Sequence, residues 1–134
     1  MSSLIKHILV ADDDSDDVEM FQSAIEETCP NIKITIATDG VKLLSLLGKI
    51  PSPDVIFLDL NMPRKTGKEC LKEIRMEHKH NSITIIMLST SGNKADIDYC
   101  LCNGANYYFV KPKSFNELKI IVQKLCNGEL NINE

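Results

Sequence analysis

Five short apolar runs, Ile5 to Ala11, Ile32 to Ala37, Val55 to Leu60, Ile83 to Leu88 and Tyr107 to Val110, alternate along the chain with longer amphipathic stretches. That rhythm constrains the fold more than any other feature, because repeated strand–helix units wind around a parallel sheet. The runs are mostly rich in β-branched or aromatic residues and nearly continuous in their apolarity, as strands buried on both faces are. The stretches between them carry helical stripes. Leu118, Ile121, Val122 and Leu125 give the clearest spacing, with Val18, Phe21 and Ile25 in the first helix, Val41, Leu44 and Leu47 in the second, and Cys70, Leu71 and Ile74 in the third. The fourth stretch, Lys94 to Cys102, is weakly amphipathic. Punctuation agrees: Pro51 and Pro53 precede the third strand, Asp39-Gly40 opens the second helix, and Asn103-Gly104 and Gly128 close the fourth and fifth. The expectation is one doubly wound α/β domain over residues 1–128, with a polar tail, 129–134, that frays. The pattern leaves two strand orders open.

Composition removes several function classes. With 134 residues, 43% hydrophobic and 25% charged, the chain has the profile of one packed domain. A formal net charge of −4 gives no positive patch for nucleic acid or anionic lipid, so neither is an expected partner. No apolar run approaches the roughly 18–20 residues that span a bilayer, and the start lacks the apolar core of a signal peptide. A cytoplasmic protein without a membrane partner is expected. The five cysteines, Cys29, Cys70, Cys100, Cys102 and Cys126, are odd in number and lack a Cys-x-x-Cys pair, which points away from a disulfide framework or zinc site. Cys100, Cys102, His78 and His80 read as ordinary packing residues.

In open parallel sheets ligands bind beyond the carboxyl ends of the strands. There the chain places Asp12-Asp13-Asp14 after the first strand, Asp59 in the third, Ser89-Thr90 after the fourth and Lys111-Pro112 after the fifth. Singly, each has a bland explanation as a helix cap, turn residue or solvated charge. Asp59 resists it, since a carboxylate inside the run Val55-Ile-Phe-Leu-Asp-Leu60 is costly to bury unless paired. Carboxylates brought within about 4 Å of one another repel by roughly 4 kcal/mol per pair at an effective dielectric near 20, so the cluster calls for a cation. An all-oxygen site with room for water suits Mg²⁺. With Lys111 as a second positive charge and Ser89 as a donor, these are the parts that stabilise a phosphoryl group in transfer to a nucleophilic carboxylate, Asp59.

On these residues the chain resembles the receiver domain of two-component response regulators. The resemblance rests on Asp12 and Asp13, on Asp54-Val-Ile-Phe-Leu-Asp-Leu-Asn-Met-Pro63 followed by Gly67, on Ser89-Thr90 and on Lys111-Pro112, and it extends from Ile8 to the final helix. It implies a flavodoxin-like five-stranded parallel sheet of order 2-1-3-4-5 with five helices. It also implies Asp59 as phosphoacceptor, and Asp12, Asp13, Asp59 and the Asn61 backbone carbonyl as ligands of Mg²⁺ or Mn²⁺. Ser89 and Lys111 fall on the phosphate-contacting hydroxyl and lysine, Ser89 and Tyr108 on the switch pair, and Asn61 and Ser91 on positions that tune dephosphorylation. The Lys111–Pro112 bond is often cis in the family.

Functionally, the resemblance implies a response regulator that takes a phosphoryl group from a sensor histidine kinase or phosphotransfer protein and signals by docking a downstream protein target or by relay. It is not expected to be an enzyme beyond catalysing its own phosphorylation and dephosphorylation. Because the chain stops soon after the fifth helix, no output domain is expected. The segments Leu60 to Gly67 and Leu88 to Ser91 are similar to stand-alone receivers associated with bacterial phytochrome kinases, which would add a homodimer to the partners. A nucleotide- or flavin-binding domain is disfavoured because Asp12-Asp13-Asp14 repels phosphate where such folds present backbone amides. An aspartyl phosphatase would carry an acid where Asn61 stands. The rival that remains is a receiver-like module that binds proteins without being phosphorylated.

Overall fold

The computed structural model describes residues 5–130. Its elements are β1 (His7–Ala11), α1 (Ser15–Thr28), β2 (Lys33–Ala37), α2 (Gly40–Leu47), β3 (Val55–Asp59), α3 (Gly67–Met76), a 3-10 turn (His78–His80), β4 (Thr84–Ser89), α4 (Lys94–Cys102), β5 (Tyr107–Val110) and α5 (Phe115–Cys126). The strands form one parallel sheet in the order β2-β1-β3-β4-β5, which decides between the two orders the pattern left open. In register, Ala11 lies beside Leu58, Asp59 beside Leu88 and Ser89 beside Val110. The carboxyl ends of four strands therefore reach one edge together.

Strand side chains alternate between faces, and each face has its own core. Leu9, Ile56, Leu58, Ile85 and Met87 pack with Leu43, Leu71, Ile74 and Cys100 beneath α2, α3 and α4. Ile8, Val10, Phe57, Ile86 and Leu88 pack with Phe21, Ile25, Leu118 and Val122 beneath α1 and α5, where the Phe21 and Phe57 rings meet at 4.9 Å. Only the inner strands are buried throughout or nearly so. β2 and β5 are half-exposed, because an outer strand lacks a neighbour on one side.

Local chemistry fixes where helices begin. Asp14, Asp39, Thr66, Asn93 and Ser114 each accept a backbone N–H of the following turn, and Thr66 forms a reciprocal capping box with Glu69. Gly104 and Gly128 take positive φ just past α4 and α5.

Several expectations are corrected. In α2 the buried positions are Gly40, Leu43 and Leu47, and Val41 is exposed. The reason is that Gly40 itself faces α3, against Lys65 and Cys70, so Val41 turns one step off the buried stripe. Cys100 and His80 are buried, but Cys102 and His78 are exposed. Cys29, at the C-cap of α1, and Cys126, at the end of α5, form a disulfide with Cα atoms 7.1 Å apart, where the cysteine pattern points away from one. Packing of α1 on α5 brings together residues 97 apart in sequence. The Lys111–Pro112 bond is trans, like every peptide bond among the described residues, so the cis expectation fails; trans is the lower-energy form even before proline. At the tail, Glu129 N–H donates to Lys124 O at 2.7 Å and Leu130 O accepts from the Tyr107 hydroxyl at 3.2 Å, so these two residues are tied back. Residues 131–134 lie outside the described residues.

Candidate functional site

Asp12 continues β1 by one residue, its N–H donating to Ala37 O at 3.0 Å, and its carboxylate is buried. Its Oδ1 accepts the Asp14 N–H at 2.9 Å, a turn that brings Asp13 around on the exposed side and sets Asp14 as the α1 cap. Asp59 ends β3 and is 6% exposed, with Oδ1 facing the Asn61 N–H at 3.4 Å. Beneath it, Gly67 N–H donates to Leu60 O at 2.9 Å, so α3 starts against the end of β3. One carboxylate oxygen from each of Asp12, Asp13 and Asp59 lies within 4.8 Å of the others.

Lys111 enters this cluster from the loop after β5, where its N–H donates to Ser89 O at 2.7 Å. Its Nζ reaches Asp17 Oδ2 at 2.7 Å, Asp12 Oδ2 at 3.2 Å and Asp59 Oδ1 at 3.6 Å. Burial, and secondly the Asp12 carboxylate, push Asp59 up to about 6. Burial also raises Asp12. On Lys111 burial works the other way, but the Asp17 hydrogen bond and the Asp12 and Asp59 carboxylates outweigh it and hold the ammonium above its ordinary value. One ammonium facing several carboxylates leaves the site strongly negative. Three clustered carboxylate oxygens, two of them from buried groups, fit a hard divalent cation.

Ser89 is fully buried, and its Oγ accepts the Ser91 N–H at 3.0 Å, which leaves its own proton free to donate elsewhere. Ser91 stands at the head of α4. Its Oγ donates to Asp96 at 2.8 Å, Asp96 pairs with Lys68 of α3 at 2.7 Å, and the Ser91 carbonyl accepts the Tyr108 hydroxyl at 2.7 Å. Tyr108 is half-buried against the α2–α3–α4 core. The sheet edge thus brings Asp12, Asp13, Asp59 and Lys111 into one cluster, while Ser91 and Tyr108 form a second network joined to it through Ser89. Asn61 is exposed, with its backbone on Asp59.

Sequence reasoning missed Asp17, the closest partner of Lys111. No local signal singles it out, because an acidic residue in the first turn of a helix is already expected as a partner of the helix dipole.

The model of the response regulator receiver domain family matches residues 8–123. Response regulator Rcp1 of Synechocystis sp. is 29% identical over 124 residues, which cover 88% of this chain and 84% of that protein. A chemotaxis protein CheY homolog of Campylobacter jejuni is 40% identical over 83 residues, 62% of this chain and 64% of that protein. Among solved structures, the Mn²⁺-bound form of Rcp1 superposes with a TM-score of 0.82 at 28% identity, covering 90% of this chain and 91% of that one. The phosphorylated cyanobacterial phytochrome response regulator RcpA does so with a TM-score of 0.83 at 29% identity and the same coverage. Among the described residues no helix is long and apolar enough to cross a membrane.

Proposed function

This chain belongs to the response regulator receiver domain family, and from that premise we propose that it accepts a phosphoryl group on Asp59 in the cytoplasm and signals by protein docking or relay. The donor is a phosphohistidine of a sensor histidine kinase or phosphotransfer protein. The reading is supported above all by one observation, the Lys111 ammonium standing 3.6 Å from Asp59 Oδ1 within a cluster of carboxylates.

Asp12, Asp13, Asp59 and the Asn61 carbonyl would hold Mg²⁺ or Mn²⁺. When bound, the cation offsets the carboxylate charge and the charge on the phosphoryl oxygens. An Asp59 oxygen attacks phosphorus while the phosphorus–nitrogen bond to the donor histidine breaks and its electron pair stays on that nitrogen. Lys111 stabilises one phosphoryl oxygen as a point charge, and Ser89 donates its free proton to another. Drawing Ser89 toward the phosphoryl group pulls on Ser91, whose N–H it holds, and so on the carbonyl that receives the Tyr108 hydroxyl. The head of α4 and β5 are therefore the bistable element that the added charge biases. Asn61 and Ser91, two positions beyond Asp59 and Ser89, tune hydrolysis of the phosphoryl group. The protein catalyses only these reactions of its own carboxylate.

Intact mass after incubation with acetyl phosphate tests this. Wild type in Mg²⁺ is expected to gain one phosphoryl group, and Asp59→Asn or wild type with excess chelator to gain none. No gain from either acetyl phosphate or a phosphorylated histidine kinase, with Mg²⁺ still bound, would overturn it in favour of a phosphorylation-independent binding module.

A further inference from the structure

An ammonium has three N–H groups, and Lys111 uses two: one for Asp17 at 2.7 Å and one for Asp12 at 3.2 Å. Among the described residues Nζ makes no third hydrogen bond, and Asp59 Oδ1 stands just beyond that range at 3.6 Å. Asp17 and Asp12 differ in kind. Asp12 belongs to the three-carboxylate cluster and shares its oxygens with whatever that cluster holds, whereas Asp17 lies outside it. Asp17 is free to serve the lysine alone.

Both ends of the Asp17–Lys111 pair are fixed by backbone. Asp17 sits in the first turn of α1 with its N–H donating to the cap, Asp14 Oδ1, at 3.2 Å. Lys111 is anchored by its N–H on Ser89 O and restricted further by Pro112 behind it. Between these anchors runs a lysine stem, which has among the largest rotamer freedom of any side chain. Without a dedicated partner the ammonium would spread over many positions, and only some of them face Asp59.

We propose that Asp17 is a positioning residue for phosphoryl transfer: it holds the Lys111 ammonium beside Asp59 with one N–H left for the incoming phosphoryl oxygen. The inference rests on Asp59 being the phosphoacceptor. A third phosphoryl contact then forms without the Asp17 pair having to break, so the charge is in place before the donor arrives.

The test compares phosphoryl uptake from acetyl phosphate, followed by intact mass in saturating Mg²⁺, for wild type, Asp17→Ala, Asp17→Glu and Asp16→Asn. Asp16→Asn removes a charge from the same helical turn at an exposed residue away from Lys111, and so controls for the helix dipole. Asp17→Ala is expected to slow uptake about tenfold, in line with what small misplacements of a catalytic group cost. Asp17→Glu should recover to within about threefold of wild type and Asp16→Asn to within about twofold. A second readout is the ¹H–¹⁵N signal of the Lys111 ammonium, which is expected in wild type and Asp17→Glu and lost to fast exchange in Asp17→Ala. Uptake by Asp17→Ala equal to or faster than wild type overturns the inference and leaves the phosphoacceptor reading standing. Should wild type take up nothing from acetyl phosphate, the same variants are compared with a phosphorylated histidine kinase as donor, and no uptake by wild type from either, with Mg²⁺ still bound, overturns that reading and this inference with it.

Discussion

At the level of single residues, Asp59 is where the fold and the site are in conflict. Its carboxyl is held up at about 6, mainly by burial and then by Asp12, against an ordinary value of 3.8. A carboxyl raised on folding binds protons more tightly in the native state than in the unfolded chain. Its contribution is therefore fully present below about pH 4 and is lost as pH rises through about 6. At neutral pH, without a divalent ion, the ionised Asp59 costs the fold about 2–3 kcal/mol, since each tenfold change in proton affinity is worth about 1.4 kcal/mol. Asp59→Asn keeps the shape and removes the charge. Urea unfolding in chelator at pH 7.5 is expected to find Asp59→Asn more stable than wild type by about 2 kcal/mol, with the gap closing as pH falls from 6 to 4. A gap that held constant over that range would mean that ionisation of Asp59 is not its source.

Among the elements, the seam between β3 and α3 sets where Asp59 sits. A Cβ on Gly67 would lie 2.2 Å from Asp59 O and 2.8 Å from Leu60 Cα, and both are backbone atoms that cannot swing aside. Helix propensity alone favours alanine at such a position by about 1 kcal/mol, but forced overpacking costs typically 1–3 kcal/mol and more against backbone. Gly67→Ala is therefore expected to lower the urea midpoint by the equivalent of about 2 kcal/mol with an unchanged m-value, and to slow phosphoryl uptake as Asp59 shifts. Asp59 was legible in the sequence, because a carboxylate inside an apolar run is costly to bury unless paired, whereas Gly67 entered only through the family resemblance. What was not legible has a common cause. The phase of an eight-residue helix cannot be read from Val41, Leu44 and Leu47 when a glycine occupies the buried stripe. An acidic first turn looks the same whether Asp17 serves the helix dipole or a lysine that lies 94 residues away. Cys29 and Cys126 meet only because α1 packs on α5. Each depends on how one element is turned against another, which no local pattern encodes.

Over the whole molecule, the sheet edge collects charge that the rest of the fold does not balance. Asp12, Asp17 and Asp59 converge on the Lys111 ammonium and Asp13 joins Asp12 and Asp59 in their cluster, in a chain whose formal net charge is −4. Unfolding separates Asp59 from the carboxylates of the first strand end, so a divalent cation binds the native state in preference and stabilises it by mass action. The gain is about 2.7 kcal/mol at a hundred times the dissociation constant. For a chain of this size each kcal/mol moves the melting temperature by about 3–5 °C, so Mg²⁺ at that level is expected to raise it by about 10 °C, and excess chelator to reverse the rise. Asp13 gives the sharper control. It is exposed, so Asp13→Asn leaves the core intact and removes one ligand, and most of the Mg²⁺ increment should vanish while the melting temperature in chelator stays near or above that of wild type. NaCl matched to the ionic strength of the Mg²⁺ buffer should give only a small shift, because screening acts on all surface charges alike. If NaCl reproduced the full rise, the stabilisation would be general screening, and the cluster would not be a divalent metal site. A specific rise lost in Asp13→Asn means that metal occupancy and the stability of the whole sheet are one equilibrium, since the ligands come from the ends of β1 and β3 at the centre of the fold.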